Sequence, residues 1–187
     1  MNTAVTGLTC SVCGTHVDIA ASFSWKCPNA TASDRQHVLR FDAGIEPFRP
    51  TEDDNPFLAY RQYLAVDSFG AAIGLDDVTR VGIIRELDDA VRVIDGVGFV
   101  RTPMKRADAL SDALGFTADG GVWVKDETHN VAGSHKARHL FTELVYLVMA
   151  ERAGITPWTS KEQRPMLAIA SCGNAAIAAS TLAAAVQ

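Results

Sequence analysis

The chain has 187 residues, 48% of them hydrophobic and 21% charged, a globular composition sized for one ordinary domain or a small module joined to a larger one. Its formal net charge of -5, with Lys and Arg scattered along the chain, argues against general nucleic-acid binding, which needs basic patches facing phosphates. The opening MNTAVTGLTC lacks a charged stretch followed by an apolar one, so no secretory signal is expected and a reducing, cytoplasmic setting is the default.

Residues 1–40 hold three of the four cysteines and show little apolar periodicity. Cys10-Ser11-Val12-Cys13-Gly14 resembles a zinc knuckle: two thiolates separated by two residues can share a tetrahedral metal, and the glycine permits the tight turn. Cys27 follows after a thirteen-residue spacer, but Ala30 stands where a second pair would place its cysteine. His37 is the candidate fourth ligand, with His16 as the alternative. So short a segment buries little by itself, whereas structural zinc can supply apparent binding energy of ~10–16 kcal/mol. The competing reading is a ribbon without metal whose cysteines serve as small buried residues.

Residues 41–98 read as a helical lead-in. Asn55-Pro56 sets a capping side chain before a proline suited to the first helical position, and Phe57, Tyr60 and Leu64 recur at helical spacing. A second helix is predicted over Asp76 to Ile94, with Val81, Ile84, Leu87, Val91 and Ile94 on one face. Its acidic pair Asp88-Asp89 is expected on a solvated face, since adjacent helical residues point in different directions.

Residues 99–187 suggest strand, turn and helix twice over. Val122 to Lys125 is a strand candidate, and a helix is expected from Lys136 to Ala150 with Leu140, Phe141, Leu144, Val145 and Val148 apolar. Met166 to Ala170 is a second strand candidate that turns at Ser-Cys-Gly-Asn into an alanine-rich helix, a pattern pointing to an α/β sheet. Leu167 to Val186 carries no charge, but its Ser, Cys, Gly and Asn favour a buried strand and helix over a membrane span. Neither a complete GxGxxG nor a GxxxxGK[ST] loop occurs.

Lys136 stands after a Gly-Ser turn, at the mouth of the expected helix. An ordinary surface lysine is one reading. A metal pair from His135 and His139 is disfavoured by the cations Lys136 and Arg138, and Ser134 lies in no nucleophile elbow. Imine chemistry is the remaining option: an amine at a helix start meets the positive end of the dipole, which favours the uncharged nucleophilic form. Gly133 and Ser134 are small enough to admit a flat ring beside the backbone.

Val124-Lys125-Asp126-Glu127, followed by Gly133-Ser134-His135-Lys136-Ala137-Arg138, resembles the lysine motif of the fold-type II pyridoxal-phosphate enzymes. Arg101-Thr102-Pro103-Met104 is similar to the Thr-Pro-Leu element that precedes it, and Ser171-Cys172-Gly173-Asn174 to the family's Ser-x-Gly-Asn loop. The layout looks closest to threonine synthase-like members. The resemblance implies an α/β, tryptophan synthase beta-like fold, of which this chain is the N-terminal part, preceded by the ribbon-like segment and the lead-in. It implies pyridoxal 5'-phosphate on Lys136, which would also shuttle the substrate's α-proton. Asn174 would bond the cofactor's ring hydroxyl, and Ser171, Cys172 and Gly173 the carboxylate of a small amino-acid substrate. The alternative for Asn174 is a plain helix cap, and for Cys172 a small buried thiol.

The usual Pro-Thr-Gly-Ser-Phe-Lys-Asp-Arg is altered here to Val131-Ala132-Gly133-Ser134-His135-Lys136-Ala137-Arg138, at positions bordering the cofactor. The chain is expected to be truncated, because LAAAVQ ends in mid-helix and neither a glycine-rich phosphate loop nor a pyridine-nitrogen partner is identifiable. Weak cofactor retention by the chain alone is the corresponding expectation. The function implied is a lyase of amino-acid metabolism, threonine synthase-like, with a serine/threonine dehydratase-like ammonia-lyase as alternative. A zinc-ribbon interaction module with a non-catalytic remainder is the reading from another class. No nucleic acid or membrane partner is expected, and the full-length protein is expected to form a homodimer.

Overall fold

The computed structural model describes residues 5–44 and 49–187; the first four residues of the ribbon-like segment and residues 45–48 of the lead-in lie outside it. The ribbon-like segment is a three-stranded antiparallel sheet of β1 (Val5–Cys10), β2 (His16–Asp18) and β3 (Leu39–Ala43), with β1 in the middle; β3 carries this sheet past residue 40 into the stretch read as helical lead-in, because it pairs with β1. Cys10 ends β1, and Gly14 takes a positive φ of 72° to turn the chain back toward β2.

The lead-in begins as expected, with Asn55 Oδ1 accepting from the Phe57 N–H and Pro56 opening α1 (Pro56–Ala59). It does not continue as one helix. A 3-10 turn over Arg61–Tyr63 and an extended Leu64 (φ -87°, ψ 128°) separate α1 from α2 (Ala65–Ala72), so the periodicity of Phe57, Tyr60 and Leu64 spans a break. Then α3 runs Asp77–Asp95, with the Asp76 side chain accepting from the Thr79 N–H and Gly96 closing the helix at φ 82°. Ile84, Leu87 and Val91 are buried as expected, joined by Ile83, whereas Ile94 is exposed.

The acidic pair splits. Asp89 faces solvent, but Asp88 is buried, contrary to the expectation of a solvated face. Its carboxylate accepts from the Phe99 N–H at 2.6 Å and from Arg92 at 3.1 Å, which ties the segment after α3 back onto the helix. Burial pushes the Asp88 carboxyl up, and the bond from Phe99 with the charge of Arg92 opposes that.

A short hairpin-like sheet follows, β4 (Met104–Arg106) antiparallel to β5 (Trp123–Lys125), with α4 (Asp108–Ala113) between them. The helix α5 (Lys136–Arg152) begins on the predicted lysine, and α6 (Asn174–Ala184) on the asparagine of Ser-Cys-Gly-Asn. The second strand candidate does not form. Residues 166–170 are irregular and exposed, with Met166 at 93%, because no strand lies alongside to receive their backbone hydrogen bonds among the described residues. The described sheets are both antiparallel, so the α/β sheet expected from two strand-turn-helix units is not seen among the described residues. No described helix is long and apolar enough to cross a membrane.

The core lies between α2, α3, α5 and α6. Ala137, Phe141, Val145 and Met149 recur every fourth residue along α5 and are all buried. Phe141 meets Phe57 at 4.6 Å and Phe99 at 4.5 Å between ring centroids, so one cluster joins α1, the segment after α3, and α5. Gly70 on α2 is where the backbone comes closest to α5: an added Cβ would lie 2.7 Å from the Met149 sulfur.

Asp88→Ala leaves the buried Phe99 N–H without an acceptor and is expected to lower stability by ~1–3 kcal/mol in urea denaturation. Asp89→Ala should stay within about 0.5 kcal/mol of the parent. Equal effects from the two would remove the structural role assigned to Asp88.

Candidate active site and metal centre

At the edge of the ribbon sheet, Cys10, Cys13, Cys27 and His37 bring their ligand atoms within 4.8 Å of one another. Cys13 Sγ lies 3.6 Å from Cys27 Sγ, and Cys10 Sγ lies 3.4 Å from His37 Nδ1. A tetrahedral zinc with Zn–S near 2.3 Å sets neighbouring sulfurs roughly 3.8 Å apart, so these four side chains fit the ion closely. The structure decides between the two histidines: His16 instead faces Asp42, Nδ1 to Oδ2 at 3.1 Å. Asp34 was not foreseen. Its carboxylate lies 3.3 Å from His37 Nε2, the outer contact that fixes a metal-binding imidazole in orientation, and the spacing Asp34-x-x-His37 was its only sequence signal.

The ligands titrate apart. Bonds from the Thr15 hydroxyl and backbone bring the Cys13 thiol down to about 5, while burial pushes the Cys27 thiol up. The bond with the Cys10 sulfur outweighs the opposing effect of burial and, with a lesser help from Asp34, raises His37 to about 9. Without metal, the His37 imidazolium contributes stability that is present below the ordinary histidine range and lost as pH rises through about 9. A metal must displace that proton. Zinc affinity is therefore expected to climb with pH across the neutral range, and binding near pH 7 should release protons, those of Cys27 and His37 among them. Calorimetry in buffers of different ionisation enthalpy measures this; zinc binding with no proton release would overturn the assignment.

The ribbon is joined to the helical layer by aromatic contacts. Tyr146 on α5 accepts from the Phe23 N–H at 2.6 Å, and its ring lies 5.3 Å from Trp25 and 4.3 Å from Phe69 of α2. Trp25 is two residues from Cys27 of the candidate metal cluster, so the cysteine loop and α5 share one seam.

Lys136 occupies the first position of α5, is exposed, and makes no hydrogen bond or ion pair among the described residues. The turn before it is conformationally unusual. Ala132 and Gly133 have positive φ of 54° and 63°, and Asp95 at the end of α3 holds the Ala132 N–H at 3.2 Å. Asn130 donates to the Ser134 carbonyl at 2.8 Å, yet Asn130 Oδ1 and Ser134 Oγ are buried without a partner among the described residues. An unmet buried polar atom costs ~1–3 kcal/mol, a cost that a hydrogen-bonding group reaching either atom would remove.

The 3-10 turn Val131–Gly133 touches α6, so the approach to Lys136 and the helix that starts at Asn174 are neighbours. Ser171, Cys172, Gly173 and Asn174 are all exposed. The capping alternative for Asn174 is not realised: Gly173 is the cap position and no side-chain capping bond forms. Cys172 is exposed, not the buried thiol that was the alternative, because the strand expected to cover it is absent. A Cβ on Gly173 would meet nothing within 4 Å, and one on Gly133 only the Thr128 carbonyl at 3.9 Å. Open backbone at both turns, a free amine and unmet polar atoms fit a flat, polar aldehyde cofactor.

Behind the lysine lies a polar cluster that the sequence pattern alone did not assemble. Glu127, just past β5, accepts from Arg138 Nε at 2.8 Å and from the Thr102 hydroxyl, with Lys125 Nζ at 3.8 Å. Arg138 also donates to the Val100 carbonyl at 3.0 Å. Burial raises the Glu127 carboxyl, but the bonds from Arg138 and Thr102 outweigh it and hold it below the usual carboxylate range. His139 pairs with Glu143 at 3.1 Å and forms no metal group with His135.

Residues 97–187 match the model of a family described as pyridoxal-phosphate dependent enzyme. The match takes in Thr102, the β5 strand, the lysine turn and Ser171–Asn174, and it supports a pyridoxal-phosphate-dependent enzyme of amino-acid metabolism. No curated protein and no solved structure matches the chain.

Proposed function

We propose that the protein is a threonine synthase-like pyridoxal-phosphate enzyme, catalysing elimination or replacement on a small amino acid such as O-phosphohomoserine, with a structural zinc ion in its ribbon. The observation that carries the reading is Lys136: free, exposed, at the first position of α5 and inside the matched region. When bound, pyridoxal phosphate supplies the electron sink for negative charge at the substrate's α-carbon. Lys136 would hold the cofactor and carry the α-proton. Asn174 would orient the ring through its hydroxyl. The backbone N–H groups at the start of α6, with Ser171, would hold the substrate carboxylate, where hydrogen bonds to charge contribute ~1.5–3 kcal/mol each. Cys10, Cys13, Cys27 and His37 would hold zinc and keep the Phe23–Trp25 loop against Tyr146.

Two measurements test this. Incubation with pyridoxal phosphate, borohydride reduction and peptide mapping should place the adduct on Lys136 in preference to Lys26, Lys105, Lys125 and Lys161, and Lys136→Ala should abolish it. Indiscriminate labelling of all five lysines would end the cofactor assignment and leave the ribbon as an interaction module. For the reaction, O-phosphohomoserine and water should give threonine and phosphate; a 2-oxo acid and ammonia instead would assign the dehydratase-like alternative.

A further inference from the structure

We propose that Glu127 is a positioning residue for Lys136, acting through Arg138 and Thr102 as a clamp on the first turn of α5. The inference rests on the reading of Lys136 as the cofactor-bearing lysine.

Three segments distant in sequence converge on this one carboxylate. Thr102 comes from the stretch before β4, Glu127 from the exit of β5, and Arg138 from the first turn of α5. The Glu127 side chain is only 14% exposed and that of Arg138 24%, so the pair is shielded compared with an ordinary surface bridge. Arg138 reaches three acceptors with two of its nitrogens: Nε on Glu127, Nη2 on the Val100 carbonyl at 3.0 Å and on Thr102 Oγ1 at 3.3 Å. The planar guanidinium holds its donors in a fixed fork, which the rotatable ammonium of a lysine does not.

On a helix, two residues are about 200° apart, so Arg138 and Lys136 lie on nearly opposite sides of the first turn. Fastening the Arg138 side therefore fixes the direction in which Lys136 leaves the helix. The other supports hold the turn and not the helix start: Asp95 and Asn130 bond the backbone of Ala132 and Ser134, whereas His135 provides no side-chain cap and two left-handed residues precede it. A lysine that must meet a flat cofactor in one orientation gains from a rigid base, since small misplacements cost rate heavily.

The test compares the chain with Glu127→Ala, Glu127→Gln and Arg138→Lys, using two readouts. The first is hydrogen exchange of the amides of residues 139–141, whose bonds close the first turn of α5, against amides of α3 as an internal reference. The second is the rate at which pyridoxal phosphate and borohydride modify Lys136; the amine condenses with the aldehyde with loss of water, and hydride saturates the carbon–nitrogen bond. Glu127→Ala and Arg138→Lys are expected to speed first-turn exchange on the order of tenfold with α3 unchanged, and to slow Lys136 modification by a similar factor. Glu127→Gln, which keeps an acceptor oxygen, should fall between them and the parent. Unchanged exchange and modification in all three variants would overturn the clamp, as would a uniform rise in exchange across α3 and α5. If the parent chain itself gives no Lys136 adduct, the cofactor reading fails, and the exchange arm still decides whether the clamp exists.

Discussion

The structure depends on the burial of a single stripe along α5. Ala137, Phe141, Val145 and Met149 repeat every four residues and are fully enclosed, and α2, α3 and α6 each touch this helix. Burial of a side chain such as Phe141 stabilises by about 1.5–3 kcal/mol, and the Phe57–Phe99–Phe141 cluster adds favourable ring geometry. With that stripe fixed, the two ends of the proposed chemistry are placed as well. Lys136 starts the helix, one residue ahead of the buried Ala137, and Tyr146 further along receives the cysteine loop.

Seen from α5, the ribbon and the lysine turn are attachments to one rod. The ribbon holds on by hydrogen bonds and rings: Phe23 to Tyr146, Val5 to Ser68 on α2, and Trp25 across the Tyr146 face. It has only a small buried centre of its own, in which Val5, Val17, Cys10 and Cys27 are enclosed. A metal in the Cys/His cluster would supply the rigidity that so few apolar residues do not. The lysine turn holds on by polar contacts instead, with Asp95 at its front and the Glu127–Arg138 pair behind. Polar fastening suits a segment whose open side must stay free for a ligand.

Much of the architecture was legible in local patterns. The Asn55-Pro56 start follows from capping chemistry, and the span of α3, the β5 strand and the run of α5 from apolar patterning, within a few residues, whereas α5 and α6 begin with no side-chain cap. The four metal-site residues were readable as thiol and imidazole spacing, and Lys136 and Asn174 as a family-like pattern. The failures have a common cause. Residues 166–170 have the composition of a strand, but a strand exists only if another lies beside it to take its hydrogen bonds. Asp88 was expected on a solvated face with Asp89, yet the two point to different sides of α3, and its partner, the Phe99 N–H, comes from beyond the end of the helix.

The sequence by itself determined which side chains are candidates for the chemistry and where α1 and α3 begin, because caps, thiol spacing and helical period are properties of short stretches of chain. Only the tertiary structure decided which partners those side chains have. It chose His37 over His16, set Asp34 behind the imidazole, left Asn174 uncapped, and brought Thr102, Glu127 and Arg138 together. These outcomes depend on contacts between residues far apart in the chain, and such contacts are fixed by the packing of whole elements against α5.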